Sequence, residues 1–131
     1  MAKTVSIGQL ADAISEELEL YSKNILAAVR KETDKAMRQL VQDTKQTAPV
    51  GRRRKHYRDS IASRTTENDP RHYEKQWYVK GSDYRLSHLL NNGHALRNGG
   101  RYEGTQFITK ASVSVIEDYE KAIKEAIRNA R

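Results

Sequence analysis

Cysteine is missing from the 131 residues. Disulfides, thiolate nucleophiles and cysteine-based zinc sites are therefore excluded, and an intracellular origin is the expectation. Proline occurs only at Pro49 and Pro70, and glycine seven times, so breaks in regular structure are few. One tryptophan and one phenylalanine leave aromatic packing largely to seven tyrosines. No apolar run approaches the ~18 residues that a membrane-spanning helix requires. The start, Met1-Ala2-Lys3-Thr4, leads into polar helix-like sequence without the apolar centre of a signal peptide. No membrane partner is expected.

What is abundant is charge, at 31% of residues, with a net +7 that is unevenly placed. Residues 1–50 and 111–131 are each neutral, whereas residues 51–110 hold thirteen basic and six acidic side chains, a surplus of seven. A basic middle between neutral ends points to a polyanion, DNA or RNA first. The densest run is Arg52, Arg53, Arg54, Lys55 and Arg58, with His56 and Tyr57 among them and no acid until Asp59. These cations suit phosphates or an acidic partner, and nothing in them specifies bases. The stretch lacks apolar anchors, so it is expected to be ordered only by its partner.

A chain of this length is one domain. Residues 6–47 read as one long helix. Ser6-Ile7-Gly8-Gln9 has the form of a capping box. Apolar residues then recur as Ile7, Leu10, Ile14, Leu18, Tyr21, Ile25, Val29, Ala36, Leu40 and Val41, at helical spacing. Within this series Ile7, Leu18, Val29 and Leu40 repeat every eleven residues, close to three turns of a straight helix. Thr47-Ala48-Pro49 stops it, since a residue before proline leaves helical geometry. An unbroken helix of this length spans roughly 60 Å, so it bends or projects.

The basic middle, 51–110, reads as β-rich. Asp59–Thr66 and His72–Lys80 form an antiparallel hairpin about the turn cluster Glu67-Asn68-Asp69-Pro70. Tyr73, Lys75, Trp77 and Val79 share a face, with Trp77 towards the core. Tyr84–Asn91 gives a short helix ended by Asn92-Gly93, Asn98-Gly99-Gly100 a tight turn, and Arg101–Ile108 a further extended stretch. The last helix, 112–130, has its own start signal in Ser114-Val115-Ile116-Glu117. The class is α+β: two flanking helices, a short helix and a small antiparallel sheet of about three to four strands.

The histidines raise the question of chemistry. His88 and His94 lie six apart, without a regular ligand spacing, and no Asp or Glu occurs from Tyr84 to Tyr102, so no metal site is expected there. His56 and His72 could join a site only through tertiary contact. His94 and Asn98, four apart in a basic protein, raise a nuclease, and a metal-independent ribonuclease would use His88 or His94 as base and Arg97 against phosphate. Serine-hydrolase and phosphate-loop patterns are missing. The reading is a non-enzyme without cofactors. His88, Asn91, Asn92, Gly93, His94, Arg97 and Asn98 form a shaped loop offered to neighbouring subunits.

The order of parts supplies a resemblance. A long helix ending at "TAPVG", a basic stretch, two strands, "YRLSHLLNNGHALRNGGRYEG" and a last helix resemble the head–tail joining, or tail-completion, proteins of long-tailed bacteriophages. Three departures stand out. The family often has Glu where Asn91 stands, a proline in the region of Thr109-Lys110-Ala111, and a tryptophan where Tyr57–Ile61 has none. The resemblance implies a structural virion protein, made in the host cytoplasm and placed at the head–tail junction. It implies a ring, commonly of six copies, between head-connector and tail-tube or tail-terminator proteins, with DNA passing non-specifically through the lumen. The competing reading is a small basic nucleic-acid-binding protein, with a metal-independent ribonuclease or toxin as its enzymatic form.

Overall fold

One helix dominates the computed structural model, which describes residues 7–50 and 56–130. Helix α1 (Ile7–Thr47) runs unbroken for 41 residues, about 60 Å at ~1.5 Å per residue. It stops where the sequence says it must: the Ala48 amide donates to Thr44 O, and Pro49 follows. After a 3₁₀ turn at Tyr57–Ser60 come strands β1 (Ile61–Asp69) and β2 (His72–Val79). A second 3₁₀ turn, Gly81–Leu86, leads into the short helix α2 (Ser87–Asn92). Two-residue strands β3 (His94–Ala95) and β4 (Arg101–Tyr102) precede helix α3 (Phe107–Asn129). The α+β class and the order of parts are as the sequence implies.

The sheet differs in detail. The described strands form two separate antiparallel ribbons, β1-β2 and β3-β4. In the first, Ile61 pairs with Val79 and Asp69 with His72, so the reversal is Pro70-Arg71 alone. The expected turn cluster is mostly strand, because a bulge at Thr66 lets β1 continue. Thr66 Oγ1 donates to Glu74 Oε2 at 2.6 Å, and His72 Nε2 lies 3.1 Å from the carboxylate of Glu67, which pairs with Glu74 across the ribbon.

The core is small and lies at one end of α1. Ala48, Tyr57, Ile61, Val79 and Phe107 are buried together, with Val41, Trp77, Leu86, Leu90 and Ile108 packed around them. Phe107 meets the edge of Tyr57 at 6.1 Å between ring centres, a favoured geometry. Trp77 faces α1 as expected, and its Nε1–H donates to Oγ1 of fully buried Thr44 at 2.9 Å. That hydroxyl donates in turn to the carbonyls of Leu40 and Val41, so each polar atom of the pair is satisfied.

From this base the hairpin and α3 run back along α1. Tyr73 donates to Asp34 at 2.6 Å and Lys75 lies 3.2 Å from the same oxygen. Arg30 holds the hairpin tip through Asn68 and the Asp69 carbonyl, over the Tyr73 ring. On α3, Tyr119 bonds Thr33 at 2.7 Å and the Ile127 carbonyl receives Tyr21 Oη–H at 3.3 Å. Of these bonds, Tyr21 to Ile127 lies nearest the start of α1. The fourteen residues before it, 7–20, are exposed except for half-buried Ala13 and make a projecting end of about 20 Å at ~1.5 Å per residue.

Candidate functional site

Two consecutive helices meet end to end at the sequence motif, and each supplies what the other lacks. The last carbonyls of a helix and the first amides of the next have no intrahelical partners. Here the Thr105 and Gln106 amides donate to the Leu90 and Asn91 carbonyls of α2, at 3.1 and 3.0 Å. In the other direction, Asn91 Oδ1 accepts the amides of Ile108 (3.0 Å) and Thr109 (3.2 Å) at the start of α3. Its Nδ2 donates to Thr109 Oγ1 at 3.0 Å and Asn92 Oδ1 at 2.9 Å. Asn91 is only 8% exposed, so this side chain is the N-terminal cap of α3, delivered from another helix.

The exchange brings two backbones into contact, and glycine is needed on both. Gly93 has φ +88°, and a Cβ there would stand 2.2 Å from Tyr102 O. Gly104 has φ +77°, and its Cβ would stand 2.6 Å from both Asn91 O and Gly93 N. Arg101 donates to Asn92 O at 3.3 Å and lies 3.9 Å from Glu103. Asn98 Oδ1 accepts the Gly100 amide at 3.1 Å, which closes the β3-β4 turn.

Beside this junction lies an apolar groove of about 420 Å³. Val50, Tyr57, Leu90 and Leu96 line it together with His56, His94, Arg101 and Tyr102, and no carboxylate is among its lining residues. His94 packs at 5.4 Å on Tyr102. Tyr57 bonds Ser87 Oγ at 2.6 Å, and burial pushes its phenol above the usual tyrosine range, so it stays neutral. Leu96 is 42% and Val50 53% exposed, so much of the groove's apolar wall faces solvent.

The residues singled out from the sequence separate into three groups. Arg52, Arg53, Arg54 and Lys55 lie outside the described residues, and so does the expectation that their loop is ordered by a partner; Arg58 sits half-buried in the first 3₁₀ turn. His88, Asn92, Arg97 and Asn98 are exposed, while Gly93 and His94 are half-buried. Asn91, read as part of an interface loop, instead turns into the subunit and caps α3. His94 and Asn98 do not form a pair: the Asn98 carbonyl oxygen is held by Gly100 and the His94 ring lies on Tyr102.

Two features were not read from the sequence. Gly104 is as constrained as Gly93, and its place in the "RYEG" end of the motif was the available signal. At the hairpin tip Glu67, His72 and Glu74 bring ligand-type atoms within 4.8 Å of one another. All three are exposed, and Glu67 and Glu74 already have His72 and Thr66 as partners. His72 thus meets carboxylates of its own hairpin.

The last helix starts earlier than expected, at Phe107 rather than near residue 112, and the extended stretch ends at Tyr102. Ser114 lies inside α3, so its capping-box pattern is not used. The true start has Gln106 in the left-handed region at φ 57° with no side-chain cap of its own, which is why local sequence does not announce it. No described helix is long and apolar enough to cross a membrane.

Neither a curated protein nor a solved structure matches the chain. Residues 12–93, more than half of the chain, match the family described as "Bacteriophage HK97-gp10, putative tail-component". The match takes in α1 from its projecting end, the hairpin and α2 as far as Gly93. By that match and by its order of elements, this chain belongs to the HK97-gp10-like family of phage tail components.

Proposed function

We propose that the protein is a structural component of the phage neck, a tail-completion or head–tail joining subunit. In this reading it assembles as a ring, six copies being the expectation, between the head connector and the tail tube or tail terminator, with DNA passing through the lumen. The observation that carries it is the projecting end of α1. Ile7 is 89%, Leu10 49%, Ile14 51% and Leu18 60% exposed, a continuous apolar stripe that a lone subunit leaves in water. Membership of a tail-component family supports a tail setting.

The basic surplus of residues 51–110 fits a lumen that handles DNA by charge. Arg52, Arg53, Arg54, Lys55 and Arg58 are the proposed contacts, to phosphates or to an acidic partner ring. The turn residues His88, Asn92, Gly93, His94, Arg97 and Asn98 are the proposed surface for neighbouring subunits. The deciding experiment is an immunoblot of gradient-purified particles carrying a tagged chain. Co-purification with particles is the expected result; a tag found only in the host lysate overturns the neck assignment. Nucleic-acid binding is read separately: if the five cations each meet a phosphate, log affinity falls against log salt with a slope of roughly −3 to −5.

A further inference from the structure

The exposed stripe on α1 and the apolar groove lie at opposite ends of the same helix. Ile14 is 35 residues from Pro49, which lines the groove, about 50 Å along a continuous helix at ~1.5 Å per residue. No chain can fill its own groove with its own projecting end. A second copy can.

The two surfaces complement each other in shape and charge. Ile7, Leu10, Ile14 and Leu18 fall within about 80° of arc at 3.6 residues per turn, one face of the helix. The groove is mostly apolar and has Val50 and Leu96 among its lining residues, a setting for an amphipathic helix laid on its apolar side. Residues 7–20 carry Asp12, Glu16, Glu17 and Glu19 and no Lys or Arg. Arg101, His56 and His94 line the groove beside Tyr57 and Tyr102, with no carboxylate among the lining residues. The exposed Arg97 stands in the turn beside Leu96. Glu17 borders the apolar stripe and is the acid placed to reach Arg97 and Arg101.

We infer that the projecting end of α1, residues 7–20, docks in the groove of a second copy of this chain, stripe inward and Glu17 toward the basic rim. The contact is head-to-tail: each copy gives a helix at one end and a groove at the other. Such a contact propagates until the rotation per copy closes it into a ring. The inference rests on the proposed self-assembly and names the surfaces that perform it.

The test uses two variants of the full chain, each with one surface spoiled: Ile14→Asp with Leu18→Asp on the helix, and Leu96→Asp at the groove. Sedimentation velocity at low salt, up to about 100 µM chain, should show self-association that each variant weakens by ~30-fold or more, as for a central interface residue. Mixed together, the two variants should form a heterodimer and stop there, because one working helix meets one working groove. Leu96→Asp leaving association unchanged, an unpaired mixture, or a wild-type chain that stays monomeric each overturn the inference. Circular dichroism establishes that both variants are folded. Should Leu96→Asp fail there, disulfide trapping replaces it. The chain has no cysteine, so Leu10→Cys with Leu96→Cys in one chain should give a ladder of linked multimers in purified particles, and either substitution alone none. Particles that contain the chain but give no ladder defeat this docking and leave the tail role intact; a chain missing from particles defeats the tail role.

Discussion

The two ends of α1 are written in the same amphipathic code and meet different fates. At the C-terminal end Thr44 is fully buried, Ala48 is 5% exposed, and the helix is locked by Trp77, Phe107 and the turn at Tyr57. At the N-terminal end the same spacing of apolar residues leaves Ile7 and Leu18 at 89% and 60% exposure. Periodicity therefore says that a face is to be covered, and does not say by which chain. What distinguishes the ends is the company of acids: residues 7–20 add four carboxylates and no cation.

This contrast can be broken most severely at the base. Gly93→Ala and Gly104→Ala each force a Cβ into backbone atoms at a positive φ, and each should cost about 3–5 kcal/mol in urea unfolding. Gly99 has φ +89° but open space around it, so Gly99→Ala should cost only about 1 kcal/mol. Equal losses at all three positions would show that conformation, not the backbone contact, sets the requirement.

Next in size is the cap. Asn91→Ala removes the acceptor of two helix amides inside the protein, with an expected loss of about 1–3 kcal/mol. Asn91→Asp keeps the acceptor but loses the Nδ2 donor to Asn92 and Thr109, so it should recover only part of the loss at pH 7. Amide exchange would show Ile108 and Thr109 losing protection first in the alanine variant.

A smaller effect belongs to the brace between α1 and the hairpin. The Tyr73 hydroxyl, then Lys75, holds the Asp34 carboxyl below its ordinary value, against a raising effect of burial. The folded value is depressed, so its stabilisation is complete above the ordinary aspartate pKa of about 3.9. It is lost as pH falls through the lower folded value. Unfolding midpoints measured from pH 5 to pH 2 should fall more steeply for the wild type than for Asp34→Asn. The smallest effect lies at the free end: Leu18→Ser should change monomer stability by no more than about 0.5 kcal/mol.

Much of the fold was legible because it rests on local pattern. The stop at Thr47-Ala48-Pro49, the pairing of two strands around Pro70 and the inward face of Trp77 all follow from spacing and from proline's geometry. The start of α3 was not legible, because its cap is Asn91, sixteen residues before Phe107 and on another helix. A pointer did exist: the phage family's proline at 109–111 suits the first turn of a helix that begins at Phe107. The motif's histidines drew attention to chemistry, whereas the constrained residues were Asn91, Gly93 and Gly104. Glycine and asparagine carry little periodic signal, and what they do depends on a backbone arriving from elsewhere.

The length of α1 has a mechanical consequence. Bonds at Asp34, Thr33, Arg30 and Tyr21 splint the helix to the hairpin and α3 from Thr44 outward, so the lever arm is only the stretch before Tyr21. From Tyr21 to Ile7 is about 20 Å at ~1.5 Å per residue, and a tilt of about 5° there moves the tip by roughly 2 Å, less than half the pitch of a helical turn. The long helix is thus stiffened over most of its length, and its tip is presented with a register that small errors of core packing do not upset.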